Sequence, residues 1–122
     1  MSEFRVLIVE DEKDAAEIIE SLLSHYQLQT VLATSAEDAR DALEASQYDA
    51  LIVDMFLPNM DGIEFVKWVR LNPQTAHLPC IAITAYSSSA LRKQALNAGY
   101  DRYFSKPVNH DELIDTLRTF LE

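Results

Sequence analysis

The sequence predicts an α/β protein built on a doubly wound, five-stranded parallel sheet with helices on both faces. Short apolar runs rich in Val, Ile and Leu recur at residues 6–9, 50–53 and 81–83, and each is followed by a polar or charged residue. Segments of helical periodicity separate these runs, and such alternation indicates βαβ units with right-handed crossovers. Strands that are apolar along their whole length are typical of a parallel sheet covered on both faces.

The first run reads as a buried strand that ends at Val9, directly before two acidic residues. Beyond it, apolar residues recur at helical spacing while Glu17 and Glu20 occupy the other face, which predicts an amphipathic helix. The apolar residues that we expect on its inner face are Ala15, Ile18, Ile19, Leu22, Leu23 and Tyr26.

Capping pairs predict where two further helices begin. A small polar side chain followed three residues later by an acid opens a helix. The pairs that fit this pattern are Ser35 with Asp38 and Asn109 with Glu112. The inner face of the last helix is expected to contain Leu113, Ile114, Leu117, Phe120 and Leu121.

Turn residues bound the other two helices. A turn at residues 58–61, followed by Gly62, leads into the third helix. The fourth helix begins at Ser88 or Ser89 and stops at Gly99, because glycine commonly follows the end of a helix.

Two weaker strand signals complete the sheet. Residues 30–33 predict the second strand, and residues 103–106 repeat the buried-strand pattern in degenerate form. The common order for a five-stranded doubly wound sheet is 2-1-3-4-5, with a switch point between the first and third strands. We therefore expect a flavodoxin-like topology.

Reactive side chains follow the strands at the edge where open α/β sheets bind ligands. Three carboxylates, a hydroxyl and an ammonium are expected to meet there: Glu10, Asp11, Asp54, Thr84 and Lys106. Clustered carboxylates repel one another, so they call for a counter-cation. Hard oxygen ligands without His or Cys predict Mg²⁺.

Asp54 fits the role of a metal ligand, of a nucleophile, or of both. A carboxylate that attacks a phosphoryl group needs the charge on the transferring oxygens to be neutralised. Glu10 and Asp11 would hold a metal for this purpose. Lys106 would offer an ammonium and Thr84 a hydroxyl donor, so the product would be an aspartyl phosphate at Asp54.

Each of these residues also has an ordinary structural role when it is taken alone. Asp11 would cap the first helix, Asp54 would belong to a turn, and Thr84 would be a strand residue or a helix cap. Lys106 would be a solvated surface charge. The combination favours a site, because all of them fall at the same end of successive strands and their charges are complementary.

Composition limits the partners and the compartment. The 122 residues fit one domain, residues 1–122. A formal net charge of -10 argues against direct binding of nucleic acid or of an anionic membrane. Cys80 is the only cysteine and lies in an apolar run, so we expect a buried, unreactive thiol. No apolar stretch approaches the ~20 residues of a spanning helix, and we expect a cytoplasmic protein.

Four motifs, taken as an ordered set, resemble those of the receiver domain of two-component response regulators. They are Val-Glu-Asp at 9–11, Val-Asp-Met-Phe-Leu-Pro-Asn-Met-Asp-Gly at 53–62, Ile-Thr-Ala at 83–85 and Tyr-Phe-Ser-Lys-Pro at 103–107. The resemblance covers essentially the whole chain. It implies a signalling domain that catalyses only its own phosphotransfer and dephosphorylation, with a sensor histidine kinase or a histidine phosphotransfer protein as donor.

The resemblance also implies a role for each matching residue. Asp54 accepts the phosphoryl group, and Glu10 and Asp11 bind Mg²⁺ directly or through water. The backbone carbonyl of Phe56 coordinates the same ion. Thr84 and Lys106 contact the phosphoryl oxygens. The resemblance further implies a cis peptide bond before Pro107.

Output is expected through a surface formed by the fourth helix, fifth strand and fifth helix. Its residues include Arg92, Lys93, Arg102, Tyr103 and Arg118. Phosphorylation would draw the hydroxyl of Thr84 inward, and Tyr103 would turn into the space that it leaves. Taken alone, Tyr103 would simply pack at the edge of an amphipathic strand. A downstream effector, an output domain of the same protein or a second, phosphorylated copy would read this surface.

One departure from the common pattern and two bulky residues beside the site modify these expectations. The acidic pair is Glu-Asp where Asp-Asp is commoner, so the longer Glu10 is expected to bind the metal through water. Phe56 and Tyr86 are bulky beside the site, and we expect them to hinder the water that hydrolyses the acyl phosphate.

Three rival functions share part of the pattern. A magnesium-dependent phosphatase with an Asp nucleophile commonly has a second Asp two residues on, where this chain has Phe56. A flavin-binding protein needs a phosphate loop after the first strand, where Glu10, Asp11 and Glu12 would repel phosphate. An unphosphorylated pseudo-receiver that acts as an interaction module remains the alternative.

Overall fold

A computed structural model of the chain describes residues 3–57, 60–86 and 88–122. Strands and helices alternate along these residues, five of each, as the apolar runs predict. The strands are β1 (Arg5–Val9), β2 (Gln29–Ala33), β3 (Ala50–Asp54), β4 (Cys80–Thr84) and β5 (Arg102–Ser105). The helices are α1 (Lys13–His25), α2 (Ala36–Ala45), α3 (Gly62–Leu71), α4 (Ser89–Ala98) and α5 (His110–Leu121).

The sheet has the predicted order β2-β1-β3-β4-β5, and every pair of neighbouring strands is parallel. The register aligns the carboxyl ends of the central strands, since Val9 lies opposite Val53 and Asp54 lies opposite Ile83. Thr84 lies opposite Ser105 on the last strand. The residues that follow these strands are therefore brought to one edge of the sheet.

Helices cover both faces of the sheet, and each face has its own core. One core is formed with α2, α3 and α4, through residues such as Leu43, Phe65 and Ala95. The other is formed with α1 and α5, through residues such as Leu23 and Leu117. The longest of the described helices, α1, has 13 residues, whereas a membrane-spanning helix needs about 20.

The predicted helix starts are confirmed by side-chain hydrogen bonds. The hydroxyl of Ser35 accepts a bond from the N–H of Asp38 at 3.0 Å, and the side chain of Asn109 accepts one from the N–H of Glu112 at 3.0 Å. Ser88 begins α4 in the same way, and Gly99 ends it with a φ of 123°. Left-handed backbone of this kind favours glycine. In the turn predicted at 58–61, positions 58 and 59 lie outside the described residues.

Gly62 begins α3 where the backbone comes close to the end of β3. A Cβ atom at this position would lie 2.6 Å from the hydroxyl oxygen of Tyr100 and 2.8 Å from the Cα of Met55. The buried hydroxyl of Tyr100 donates to the carbonyl of Gly62 at 2.9 Å. Glycine therefore allows α3 to begin directly against the strand that carries Asp54.

The expected inner face of α1 is wrong in part. Ile18 is 57% exposed, and the buried residues of the helix are Ala16, Ile19 and Leu23. The small side chain of Ala16 lets the helix approach the sheet, so the buried face is rotated away from Ile18. Apolar residues lie on both sides of the buried face, so the periodicity of the sequence did not show which of them faces the sheet.

The fifth strand is not buried as its pattern suggested. Arg102 and Ser105 are exposed, and Tyr103 and Phe104 are half-buried. The reason is its place at the edge of the sheet, where only β4 pairs with it. In α5, Leu113, Ile114 and Leu117 are buried as predicted, whereas Phe120 and Leu121 are only half-buried near the end of the helix.

Candidate functional site

The carboxyl ends of β1 and β3 bring three acidic residues together. Glu10 and Asp11 directly follow β1, and Asp54 is the last residue of β3. Each offers a carboxylate oxygen, and these oxygens lie within 4.8 Å of one another. Glu10 is fully buried and Asp54 nearly so, while Asp11 is exposed. The site thus opens to solvent on the side of Asp11.

Lys106 joins this cluster from the end of β5. Its Nζ lies 3.2 Å from Oδ2 of Asp54 and forms an ion pair with Oε1 of Glu10. The N–H of Lys106 donates to the carbonyl of Thr84 at 2.7 Å, so the backbone beyond β5 stays tied to β4. With 18% of its side chain exposed, Lys106 is not the solvated surface charge that it would be on its own.

Burial and mutual repulsion control the protonation of the cluster. Burial, followed by the hydrogen bond and charge of Asp54, raises the pKa of Glu10 to about 7, although Lys106 opposes the shift. Burial acts to lower the pKa of Lys106, but the hydrogen bond to Glu10 and the charges of both acids outweigh it, and the pKa is raised. One ammonium therefore does not compensate three carboxylates, and the cluster has a deficit of positive charge.

The donor set of the cluster fits Mg²⁺. All three side chains of the group offer hard carboxylate oxygens, which suit Mg²⁺ better than the His and Cys ligands of softer metals. Part of the lone-pair capacity is already used, because Oδ1 of Asp54 accepts from the N–H of Phe56 at 3.0 Å and Oε2 of Glu10 accepts from the N–H of Glu12 at 3.4 Å. The lone pairs that remain on these carboxylate oxygens are those that could hold the ion.

Neither Asp11 nor Thr84 caps a helix, although Thr84 is a strand residue, the last of β4. The N-cap residue of α1 is Glu12, and its side chain makes no capping bond. Ser88, not Thr84, caps α4. Thr84 is fully buried, and its Oγ1 accepts a bond from the N–H of Tyr86 at 3.1 Å. Neither the exposed carboxylate of Asp11 nor the buried hydroxyl of Thr84 is thus explained by helix capping.

Two exposed aromatic rings meet beside the site. Phe56 follows β3 by two residues, and Tyr86 follows β4 by two residues. Their ring centroids lie 5.1 Å apart in an edge-to-face arrangement, although the two side chains are 45% and 63% exposed. We call Phe56 and Tyr86 the ring pair. It spans the ends of the two strands that carry Asp54 and Thr84.

Tyr103 reaches the ring pair from β5. Its half-buried ring packs against the core on the α3 and α4 side, and its hydroxyl donates to the carbonyl of Tyr86 at 2.9 Å. The peptide bond between Lys106 and Pro107 is cis, as the resemblance implied. Sequence reasoning identified Tyr103 and Tyr86 separately, but it had no signal for the bond between them.

A second polar cluster was missed by the sequence analysis. The guanidinium of Arg70 donates to the carbonyls of Ala76, Leu78 and Gly99 and to the carboxylate of Asp101. These groups belong to the segment between α3 and β4 and to the segment between α4 and β5. The partners lie 6, 8, 29 and 31 residues from Arg70. No local pattern marks such contacts, so the only available signal was a basic residue in the last turn of α3.

The arrangement is suited to chemistry on an anionic substrate. It combines a carboxylate, a half-buried ammonium 3.2 Å away, a buried hydroxyl at the end of the next strand, and acidic residues of the kind that hold a hard cation. Positive charge from an ammonium and a bound cation stabilises charge that develops on transferring phosphoryl oxygens.

Comparisons with known proteins agree with the geometry. The sequence model of the response regulator receiver domain family matches residues 6–118 of this chain. The polar-differentiation response regulator DivK of Brucella ovis is 28% identical over 116 residues, covering 95% of this chain and 94% of DivK. A response regulator from Chloroflexus aurantiacus J-10-fl is 32% identical in sequence. Its crystal structure superposes with a TM-score of 0.93, and the match covers 97% of both chains.

A further solved structure bears on the acidic cluster. The receiver domain of the sensor histidine kinase PA1611 from Pseudomonas aeruginosa PAO1 is 29% identical, with a TM-score of 0.88 and coverage of 96% of both chains. That structure has a magnesium ion coordinated in its active site cleft. Since the family match extends over nearly the whole chain and includes every strand that contributes to the acidic edge, this chain belongs to the family of response regulator receiver domains.

Proposed function

We propose that the chain is a phosphoacceptor receiver domain, which takes a phosphoryl group onto Asp54 in a Mg²⁺-dependent reaction. The donor is a phosphohistidine of a sensor kinase or of a histidine phosphotransfer protein. The domain catalyses only this transfer and the later loss of the phosphoryl group. The net charge of -10 and the absence of a spanning helix among the described residues are compatible with work in the cytoplasm.

The placement of Asp54 carries this proposal. Its carboxylate belongs to an acidic group that could hold a metal, and its Oδ2 lies 3.2 Å from the ammonium of Lys106. A carboxylate needed only for structure would gain nothing from two further acids beside it, since clustered like charges destabilise the fold. A nucleophile for phosphoryl groups needs this surplus, because the acids recruit the cation that the reaction uses.

The transfer follows from the chemistry of these groups. An oxygen of Asp54 forms a bond to phosphorus while the bond from phosphorus to the donor imidazole nitrogen breaks, and the electron pair of that bond stays on the nitrogen. Bound Mg²⁺, held by Glu10, Asp11, Asp54 and the carbonyl of Phe56, would neutralise charge on the phosphoryl oxygens. Lys106 pairs with a phosphoryl oxygen, and the hydroxyl of Thr84 donates to another.

The phosphoryl group then changes the output surface, formed by α4, β5 and α5. It adds a charge of about −1.5 to −2 at pH 7 beside Thr84, which favours an inward hydroxyl and an inward Tyr103. The helix α4 contains Arg92 and Lys93 and no acidic residue, in contrast to the acidic remainder of the chain. An effector protein, an output domain or a second copy of the chain would read this surface.

Phosphorylation is tested by mass spectrometry after incubation with acetyl phosphate and Mg²⁺. We expect the wild-type protein to gain the mass of one phosphoryl group, with acetate as the leaving group. Asp54→Ala should gain none, and EDTA should suppress the gain in the wild type. The matched control Asp41→Ala removes an exposed carboxylate of α2 and should be phosphorylated normally.

Two outcomes would contradict the proposal. If neither the wild type nor Asp54→Ala gains mass, the chain is the unphosphorylated interaction module. If Asp54→Ala is modified as fully as the wild type, the acceptor is a different residue.

A separate experiment tests the output surface. Sedimentation of phosphorylated and unphosphorylated protein over a range of concentrations would show whether this surface forms a phosphorylation-dependent dimer.

A further inference from the structure

A buried tyrosine outside the acidic cluster reaches the start of α3. Tyr100 lies between α4 and β5 and is 3% exposed. Its hydroxyl donates to the carbonyl of Gly62 at 2.9 Å, across a sequence separation of 38 residues. Burial, followed by the charges of Cys80, Asp54 and Asp61, raises the pKa of this hydroxyl. Tyr100 therefore keeps its proton at neutral pH and acts as a hydrogen-bond donor.

The backbone that carries Tyr100 is fixed on both sides. The carbonyl of Gly99 accepts two bonds from the guanidinium of Arg70, and the carboxylate of Asp101 accepts another. The N–H of Asp101 also donates to the carbonyl of Cys80, at the start of β4, at 2.8 Å. Tyr100 thus extends from a firmly held base, and its hydroxyl is a fixed point for the backbone that it contacts.

Gly62 connects this hydroxyl to the loop between β3 and α3. The N–H of Gly62 donates to the carbonyl of Met55 at 2.9 Å, which joins the two ends of the loop. On the other side of the same peptide bond, the N–H of Phe56 donates to Oδ1 of Asp54 at 3.0 Å. Both polar atoms of the peptide between Met55 and Phe56 are therefore held. The next peptide contains the Phe56 carbonyl, which is expected to bind Mg²⁺ with the three carboxylates.

The contact between Tyr100 and Gly62 is also close-packed. A Cβ atom at Gly62 would lie 2.4 Å from the carbonyl oxygen of Asp54 and 2.6 Å from the hydroxyl oxygen of Tyr100. The hydroxyl therefore lies directly against the backbone at the point where the end of β3 meets the start of α3. Its removal leaves the Gly62 carbonyl without this donor and the loop without this support.

We propose that Tyr100 is a positioning residue for the magnesium site, because its hydroxyl bond to Gly62 holds the loop in the arrangement that presents the Phe56 carbonyl to the ion. This inference rests on the proposed function and concerns the same site. Mg²⁺ demands nearly ideal octahedral geometry, so a loop with several arrangements binds it in only a fraction of the molecules. The apparent affinity falls in proportion to that fraction.

The test is titration calorimetry of the whole chain with Mg²⁺ at constant ionic strength. Tyr100→Phe keeps the ring in the core and removes the hydroxyl. We expect its dissociation constant for Mg²⁺ to be about twofold to tenfold higher than that of the wild type, the range that one neutral hydrogen bond gives in an equilibrium constant.

Tyr48→Phe is the matched control. Tyr48 is a buried tyrosine of the same core as Tyr100, but it precedes β3 and lies at the opposite end of that strand from Asp54. The loss of its hydroxyl should leave the dissociation constant for Mg²⁺ unchanged.

The Mg²⁺ dependence of phosphorylation separates positioning from a general loss of stability. With acetyl phosphate as donor, Tyr100→Phe should need more Mg²⁺ than the wild type to reach half of its maximal rate. At saturating Mg²⁺ it should reach the wild-type rate, because the metal-bound loop is the same in both proteins. A variant that had only lost stability would keep the Mg²⁺ dependence of the wild type.

Hydrogen exchange in the wild type gives a check that needs no variant. Coupling between two sites is reciprocal, so Mg²⁺ should slow the exchange of the Gly62 N–H, which bonds to Met55, more than that of the β1 amides. Equal slowing of all these amides overturns the inference.

The other outcomes distinguish the inference from the proposed function. An unchanged dissociation constant in Tyr100→Phe, or an equal loss of affinity in Tyr48→Phe, overturns the inference and leaves the proposed function intact. If the wild type itself takes up no Mg²⁺, the inference and the Mg²⁺-dependent reaction are both wrong.

Discussion

The Nζ atom of Lys106 lies 3.2 Å from Oδ2 of Asp54, across a sequence separation of 52 residues. The same ammonium pairs with Glu10, which is fully buried. Lys106 therefore has two tasks in this structure. It places positive charge beside Asp54, and it prevents Glu10 from being a buried, uncompensated acid.

Replacing Lys106 with methionine tests both tasks. Lys106→Met should accumulate little phosphoryl group, and in EDTA it should lower the free energy of unfolding by roughly 1–3 kcal/mol, because Glu10 loses its charged partner. Urea denaturation with and without Mg²⁺ measures this, and Mg²⁺ should recover part of the loss. Lys67→Met, at an exposed position of α3, is the control. Equal stability of the two variants in EDTA would show that Glu10 does not depend on Lys106.

Binding of Mg²⁺ should stabilise the fold. The cluster of Glu10, Asp11 and Asp54 has only the ammonium of Lys106 to balance its negative charge. A cation that binds only the folded state therefore raises the unfolding free energy, by about 1.4 kcal/mol when its concentration is ten times its dissociation constant. Thermal melts in EDTA and in Mg²⁺, at matched ionic strength, measure the shift. Asp11→Asn should reduce it strongly, whereas Asp41→Asn on α2 should not. The same shift in Asp11→Asn as in the wild type would rule out a metal held by Asp11.

The features that could be predicted from the sequence are those with local signals. Apolar runs specified three of the strands and weaker signals the other two, and the order of the sheet is the common one for a five-stranded doubly wound fold. Once the carboxyl ends of parallel strands share an edge, Asp54 and Lys106 must lie near each other, whatever the details of packing. The caps at Ser35 and Asn109 are local in the same sense, because each bond spans three residues.

The features that could not be predicted depend on tertiary packing. Nothing in the pattern of α1 shows that the small Ala16 faces the sheet while Ile18 faces solvent. The bond from Tyr103 to the carbonyl of Tyr86 joins residues 17 positions apart through a backbone atom, and a backbone atom leaves no trace in the sequence. The contacts of Arg70 were missed for the same reason, since three of its partners are carbonyls.

High pH should destabilise the protein through Cys80. Burial raises the pKa of this thiol from 9.0 to about 12, so between these values the unfolded chain releases a proton that the folded chain keeps. Stability is therefore full below pH 9 and falls by about 1.4 kcal/mol per pH unit above it for this group. Burial also raises the pKa of Tyr100, which adds to the decline at still higher pH.

Urea denaturation at a series of pH values between 8 and about 11 checks the sign. Cys80→Ala should show a shallower decline than the wild type, even if its stability at pH 8 is lower. Thiol reagents should modify folded Cys80 slowly at pH 8 and rapidly after unfolding. Parallel pH profiles in the two proteins would show that Cys80 titrates in the folded state much as it does in the unfolded chain.

Even a conservative replacement of Arg70 should destabilise the protein. Its guanidinium donates to Ala76 and Leu78 at 2.8 and 2.6 Å, to Gly99 through two nitrogens, and to Asp101. A lysine ammonium cannot reach these groups at once. We expect Arg70→Lys to lower the unfolding free energy by roughly 2–3 kcal/mol, since several part-buried acceptors lose their donor. Arg92→Lys, at an exposed position of α4, should change it by less than about 0.5 kcal/mol.

Phe56→Asn should shorten the lifetime of the phosphorylated form. The ring of Phe56 contacts that of Tyr86 beside Asp54, and asparagine is smaller and can hydrogen-bond to a water molecule that approaches the phosphorus. The backbone carbonyl and the N–H bond to Asp54 are kept. We expect phosphoryl loss to be about threefold to tenfold faster, which corresponds to roughly 0.7–1.4 kcal/mol in the barrier.

The measurement follows the decay of the phosphorylated mass after the donor is removed. Leu71→Asn is the control, because Leu71 is an exposed apolar residue at the far end of α3 and its replacement should leave the decay unchanged. If Phe56→Asn decays as slowly as the wild type, the ring does not restrict water. Acceleration in Phe56→Asn but not in Leu71→Asn would instead mean that the aromatic side chain, and not the strand that carries it, sets how long the signal lasts.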